Sequence, residues 1–307
     1  MIFTTISYQF VIETLNSAII YLTFLHKIIK KACNCTCILT EFGFKIREYW
    51  GKLMSKSIAF HLQKGGVGKT SVCGTLACQS ALSGHKTLMI DCDPQGNLSS
   101  WFLEEAPKFE LSDVLQGKCF WKDAVVKIPS IDNLYILPTF SIGGSLKNYS
   151  ETKLNDEPFI IQDLVEELSS EFERILLDLS PGLGRLERAA IIASNEVITP
   201  MTTEIFSLDG FEIFVDELAK LKKNYKAAVK HNKIIINSYD ERVRQAREIY
   251  NEASRTGKYT VFRIPVDPLF RKAQTAHRIP QKYKVNGRGL KPGTIEALFK
   301  INKSIWS

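Results

Sequence analysis

Short apolar runs near residues 57–62, 87–91, 134–137, 174–178, 196–199, 233–237 and 260–264 punctuate the chain. Each is the length of a buried strand and is bounded by polar or turn-forming residues. Between them lie stretches with helical spacing, among them one from Lys69 through Leu76, Ala77 and Leu82 to a stop near Gly84. Another surrounds Ile160–Leu168, and a third begins near Leu208. Strands alternating with helices predict an α/β fold: a mostly parallel twisted sheet with helices on both faces. A ligand is then expected beyond the carboxyl ends of the strands. No internal repeat, low-complexity tract or obvious linker divides residues 54–307, and no helix-turn-helix pattern precedes the first of these strands.

Residues 1–53 have a different character. Met1 to Leu25 is rich in Ile, Phe, Leu and Tyr with Glu13 as its only formal charge, and Lys27, Lys30 and Lys31 follow. A signal peptide would carry its positive charge before the apolar run. Glu13 and the polar residues around it weaken a membrane span. Met54 stands just ahead of the first core strand, so a natural start at Met54 is expected, with a disordered or interfacial arm or a membrane anchor as alternatives.

The strand Ile58 to Leu62 runs into Lys64-Gly65-Gly66-Val67-Gly68-Lys69-Thr70. Gln63 stands where the strict phosphate-loop pattern has its first glycine. The remaining glycines still allow consecutive backbone N–H groups to turn inward around a phosphate, and the helix that opens at Lys69 adds its positive end. Lys69 is expected at the β- and γ-phosphates and the Thr70 hydroxyl on Mg²⁺. Gly65, Gly66, Val67, Gly68 and Ser71 complete the expected cradle. Asp178 ends an apolar strand beside this loop, where an acceptor for magnesium or its waters is needed.

The loop resembles the deviant Walker A box of the ParA/MinD family of P-loop NTPases. Further similarity follows in order: Asp91-Cys92-Asp93-Pro94-Gln95-Gly96-Asn97, Leu111-Ser112-Asp113-Val114-Leu115, Asn133 to Pro138, Asp178, Asn195 to Pro200, Phe206 to Gly210, Ile234 to Arg242 and Ile264 to Asp267. The ordered set spans roughly residues 56–285 and is most similar to the small partition ATPases. It implies ATP and Mg²⁺ as cofactors, with two nucleotides sandwiched in an ATP-dependent homodimer. Lys64 would reach the partner's nucleotide, Asp93 would position the attacking water and contact the metal, and Asn237, Pro265 and Asp267 would flank the adenine. Leu179-Ser180-Pro181-Gly182 departs from the pattern, standing where partition ATPases often have a cysteine or threonine followed by two prolines.

Charge bears on the partner. The net charge is +7, of which +3 belongs to residues 1–53, with six basic against three acidic side chains. Lys220, Lys222, Lys223, Lys226 and Lys230 form one cluster, and nine basic residues against the single Glu296 lie between Arg271 and Lys303. An ATP dimer would double such patches, and counterion release makes DNA affinity rise steeply with the number of contacts. By the resemblance, Arg242 contributes to nonspecific binding of double-stranded DNA, with Arg271 and Lys272 near a second such position. The implied role is plasmid or chromosome partitioning, cytoplasmic and nucleoid-associated, with a ParB-like activator. Two other roles remain open. One is a membrane-associated positioning ATPase, if Ile295, Leu298, Phe299, Ile305 and Trp306 share an apolar face; the other is a scaffold or regulator with little turnover. The seven cysteines lack zinc-site spacing, Cys33-Asn34-Cys35-Thr36-Cys37 included, and fit a reducing compartment.

Overall fold

The computed structural model describes residues 55–140, 145–154 and 157–307. They fall within the unit Gly51–Ser307. The expected N-terminal segment, Met54 and the Cys33, Cys35 and Cys37 cluster lie outside the described residues.

Eight strands form one sheet in the order β3-β4-β2-β5-β1-β6-β7-β8. In chain order they are β1 (Lys56–Phe60), β2 (Thr87–Cys92), β3 (Val126–Lys127), β4 (Leu134–Leu137), β5 (Arg174–Leu179), β6 (Glu196–Met201), β7 (Lys230–Tyr239) and β8 (Thr260–Pro265). Seven are the apolar runs seen in the sequence. The eighth, β3, is two residues long and pairs antiparallel with β4; all other pairings are parallel. Two residues carry no usable periodicity, so β3 was invisible to pattern reading.

Alternate strand residues enter different cores, as a pleated strand requires. Ala59, Leu88, Ile90, Ile175 and Leu177 join one cluster, packed by Ile161, Leu168, Leu186 and Phe214. Ile58, Phe60, Met89 and Leu176 join the other, packed by Leu76, Leu298, Ile301 and Ile305. Helices therefore cover both faces. They include α1 (Lys69–Leu82), the short α2 (Asn97–Phe102), α3 (Leu111–Leu115) and α4 (Trp121–Ala124), and α5 (Ser145–Thr152) and α6 (Ile160–Leu168). Beyond β5 come α7 (Arg185–Ile192), α8 (Ile205–Tyr225), α9 (Arg244–Arg255), α10 (Pro268–Thr275) and α11 (Pro292–Ile305). Lys230 opens β7 rather than extending the helix before it, so the first basic cluster divides between two elements.

The apolar residues considered as one face at the C-terminus divide between core and solvent. Leu298, Ile301 and Ile305 of α11 are buried against the sheet, whereas Ile295 and Phe299 face solvent. The helix is docked on the core, and Trp306 beyond it lies under the Arg174 guanidinium at 4.9 Å. Among the described residues, no helix is long and apolar enough to cross a membrane.

One buried ionic cluster ties this helix to the sheet. Glu196, 1% exposed, pairs with Lys233 and lies 3.0 Å from the Lys56 ammonium, which also donates to the Ile305 carbonyl at 2.7 Å. Removing the carboxylate strands two lysines in a site with little water. Glu196→Ala is therefore expected to lower unfolding stability by about 3–5 kcal/mol. A urea midpoint within experimental error of the parent would contradict this.

Candidate nucleotide site

β1 is central, flanked by β5 on one side and β6 on the other, while β2 lies beyond β5. Chain direction across the sheet thus reverses beside β1, and the crevice at such a point receives the loop leaving the strand. Register does the rest. Phe60 pairs with Asp178, and Asp178 pairs with Asp91, so the carboxyl ends of three strands finish level with one another. In-register residues of adjacent parallel strands project to the same face, which makes Asp91 and Asp178 neighbours.

The loop from Gln63 to Gly68 joins β1 to α1. Gly68 has φ +90°, and a Cβ there would stand 2.2 Å from the Asn237 amide nitrogen. Only glycine fits both demands. Asn237 Nδ2 donates to the Val67 carbonyl at 3.1 Å, so β7 holds the loop at that point. The Lys69 ammonium donates to the carbonyls of Lys64, at 2.8 Å, and Leu62, at 3.2 Å. Lys69 is 7% exposed. Burial pushes its pKa down, while Asp178 and then Asp93 hold it up.

Three aspartates surround this lysine in different states. Asp91 is fully buried and accepts from the Ser99 hydroxyl (2.6 Å), the Ser99 amide (2.8 Å) and the Asp93 amide (3.2 Å). Burial pushes it up to about 7 against the pull of those hydrogen bonds. Asp93 accepts from the Gln95 amide at 2.9 Å, and burial raises its pKa while Lys69 lowers it. Asp178 differs from both. Its two oxygens are buried without a hydrogen bond of ordinary geometry. Burial, then the adjoining Asp91, push it well above the usual carboxylate range, with the Thr70 hydroxyl and Lys69 acting the other way.

A buried carboxylate left short of donors is an expensive arrangement unless a cation or its water shell completes it. That observation fits Mg²⁺. A magnesium site needs a hydroxyl and one or two carboxylates, with water and phosphate supplying the other ligands. Thr70, Asp178 and Asp93 are the residues present for it. Among the described residues, no cluster of three or more His, Cys, Asp or Glu forms a protein-only cage.

Two clefts meet at the loop. One, of ≈ 590 Å³, is lined by Gly65, Gly66, Lys69, Thr70, Asp93 and Pro181 among others. The second, of ≈ 250 Å³, is lined by Asn237, Ile264, Pro265, Asp267, Phe270 and Arg271 among others. Gly66, Gly68, Ser71 and Gln274 belong to both. The first cleft, which carries the glycine loop, Lys69, Thr70 and Asp93, has the groups and the room for a triphosphate with a metal; the smaller second has room for a base. Asp267 contributes structure rather than charge. Its carboxylate caps α10 at the Leu269 amide (3.1 Å) and accepts from the Lys291 amide (2.9 Å).

The residues expected to meet DNA are more scattered. Arg242 is forked onto Asp240 at 2.9 and 2.6 Å and lines a separate cleft of ≈ 740 Å³ with Tyr239, Arg263 and Lys291. Arg271 borders the base-side cleft, and Lys272 is exposed beside it on α10. Sequence reading missed Asp91 as a buried partner, Gln274, whose amide donates to the Ser71 hydroxyl at 2.7 Å, and Pro181. The Asp-x-Asp spacing held a signal for Asp91. Gln274 had none, since it reaches Ser71 only through the fold.

An AAA domain family model matches residues 55–231. An uncharacterized protein of Borreliella burgdorferi is 36% identical over 222 residues, covering 71% of this chain and 88% of its own length. The chromosome-partitioning ATPase Soj of Treponema pallidum is 32% identical over 201 residues, covering 66% of this chain and 78% of its own. McdA of Cyanothece in complex with ATP shares the fold at a TM-score of 0.70 and 18% identity, covering 82% of this chain and 96% of that one. With the loop, the aspartates and the sheet order in place, the chain belongs to the Soj/ParA family of P-loop partition ATPases.

Proposed function

We propose that this chain hydrolyses ATP slowly as an ATP-dependent sandwich dimer, binds double-stranded DNA without sequence preference, and drives plasmid or chromosome partitioning with a ParB-like activator in the cytoplasm. The observation that carries the nucleotide reading is the convergence of Lys69, Thr70 and Asp93 on Asp178, whose carboxylate is buried and short of donors. The basic residues on α8, α10 and α11 support the DNA reading, and membership of the Soj/ParA family supports the partition role.

In this reading the loop amides and the α1 N-terminus bind the β- and γ-phosphates. Lys69 exchanges two loop carbonyls for phosphate oxygens, a stronger, charge-assisted partner. Thr70, Asp178 and Asp93 would hold Mg²⁺, which when bound neutralises charge on the phosphates. Asp93 orients the attacking water. Lys64 of a twin molecule adds a cation to the same phosphates, so ATP rather than ADP favours the dimer.

The test is a DNA-binding titration of residues 54–307 without nucleotide, with ADP, with ATP and with a slowly hydrolysed analogue, beside gel filtration. Retention of DNA and a dimer peak are expected only in the last two. Equal retention in all four would sink the switch. Lys64→Ala is expected to keep ATP binding within about 5-fold while losing the dimer peak, because it removes only the bridging charge. An intact ATP dimer in that variant would remove Lys64 from the role.

A further inference from the structure

The segment between β5 and α7 reads Ser180-Pro181-Gly182-Leu183-Gly184 and departs from the family pattern at its first residue. A proline there would fix φ covalently. Serine leaves the backbone free, so an ordered conformation has to come from other bonds. The structure supplies them. The Ser180 hydroxyl donates to Glu187 Oε1, and Ser180 Oγ in turn accepts from the Gly182 amide at 3.2 Å. Gly184 sits where a Cβ would come within 3.0 Å of Glu187 Oε2, so the chain passes close over the carboxylate because it has no side chain there.

Glu187 is 6% exposed and lies in the first turn of α7, where the helix end favours a negative charge. No ion pair to it is found among the described residues, so it does not serve a surface salt bridge. It lines a ≈ 540 Å³ cleft that shares Asp93, Gln95 and Pro181 with the phosphate-side cleft. Asp93, Gln95 and Pro181 thus border both spaces, and Ser180 and Glu187 line the second of them together with Pro181.

We propose that Glu187 is a positioning residue: through Ser180 it fixes the 180–184 segment, so that Pro181 closes the phosphate cleft and the chain leaving Asp178 keeps its course. This rests on the ATPase reading above. Neither side chain belongs to the glycine cradle, and neither lines the phosphate-side cleft. The latch therefore governs turnover and leaves nucleotide affinity alone. It does with two hydrogen bonds what a ring would do by covalent geometry, and it can be opened by single substitutions.

The experiment combines steady-state ATPase kinetics, equilibrium binding of a fluorescent ATP analogue with Mg²⁺, and amide hydrogen exchange at Gly182. Its variants are Ser180→Ala, Glu187→Ala, the double variant and Glu187→Gln. Displacing a segment beside the reacting phosphate lowers kcat by about 10-fold or more in each alanine variant, while Kd stays within about 2-fold. The double variant is no worse than the weaker single one, since both remove the same bond. Exchange at Gly182 speeds up by about 10-fold or more in Ser180→Ala, which removes its acceptor, and by a smaller factor in Glu187→Ala, which only frees that hydroxyl. Glu187→Gln keeps an acceptor and recovers most of the turnover lost in Glu187→Ala.

Unchanged Gly182 exchange in folded single variants overturns the proposal, as do additive kinetic effects or a parallel loss of Kd and kcat. If the parent protein proves not to hydrolyse ATP, the enzymatic reading fails by itself. Gly182 exchange then still decides whether the latch exists.

Discussion

Lys69→Ala is expected to abolish measurable ATP binding while leaving a folded protein. Lys69 is the cation at the centre of the site, 7% exposed and held by two loop carbonyls, with Asp178 and Asp93 opposing the downward push of burial on its pKa. Taking one member from a buried, hydrogen-bonded set of charges costs about 2–5 kcal/mol, or roughly 30-fold to several thousand-fold in affinity. The loss here falls at the upper end for two reasons. The triphosphate loses its only lysine from the loop's own helix. Asp93 and Asp178 also lose the cation that faces them and opposes the upward push of burial. The sheet does not depend on the ammonium, so circular dichroism should match the parent. Titration with a fluorescent ATP analogue and Mg²⁺ reads the effect. Parent-like affinity would place the phosphates somewhere other than this loop.

Gly68→Ala should do comparable damage by a different route. The position has φ +90°, which costs an L-residue about 1–2 kcal/mol in the left-handed region. A methyl group would also overlap the Asn237 amide at 2.2 Å and break its bond to the Val67 carbonyl, 3.1 Å long. With both penalties, a stability loss of about 2–4 kcal/mol and loss of nucleotide binding are expected. Gly65 provides the control. It is exposed, and a Cβ there meets nothing within 4 Å. Gly65→Ala should therefore change the melting temperature little, by about 1 kcal/mol or less in equivalent free energy. Equal melting of the two variants would show that the loop is not held as described. The contrast matters because in the sequence the two glycines look alike.

Some of the architecture was legible because its cause is local. Strands such as Thr87–Cys92 and Arg174–Leu179 carry uninterrupted apolar stretches, Leu88 to Ile90 and Ile175 to Leu177, as a parallel strand covered on both faces does. Helix α1 could be placed closely, since Lys69 follows a glycine loop and Gly84 stops the chain two residues after Leu82. The C-terminal helix shows where pattern ran out. Ile295 and Phe299 are as apolar as Leu298 and Ile305, and hydrophobicity alone does not say which pair meets the sheet. Packing by α1 and β8 decided it.

The site divides along the same line. Glycines, the lysine–threonine pair and the strand-end aspartate lie within a few residues of recognisable elements, so the linear order of the chain was enough to single out the glycine loop and the side chains that the fold gathers at it. Contacts separated by many residues were not. Asp91 next to Asp178 depends on β2 and β5 pairing in one register, Gln274 on Ser71 depends on α10 folding back over α1, and the Ser180–Glu187 bond depends on how α7 leaves the sheet. Sequence by itself determined which elements form and which chemistry the loop can hold, because propensity and backbone geometry act over a few residues. Tertiary structure alone decided which carboxylates are buried together and which hydroxyls restrain them, because desolvation and hydrogen bonding depend on neighbours that only the closed fold supplies.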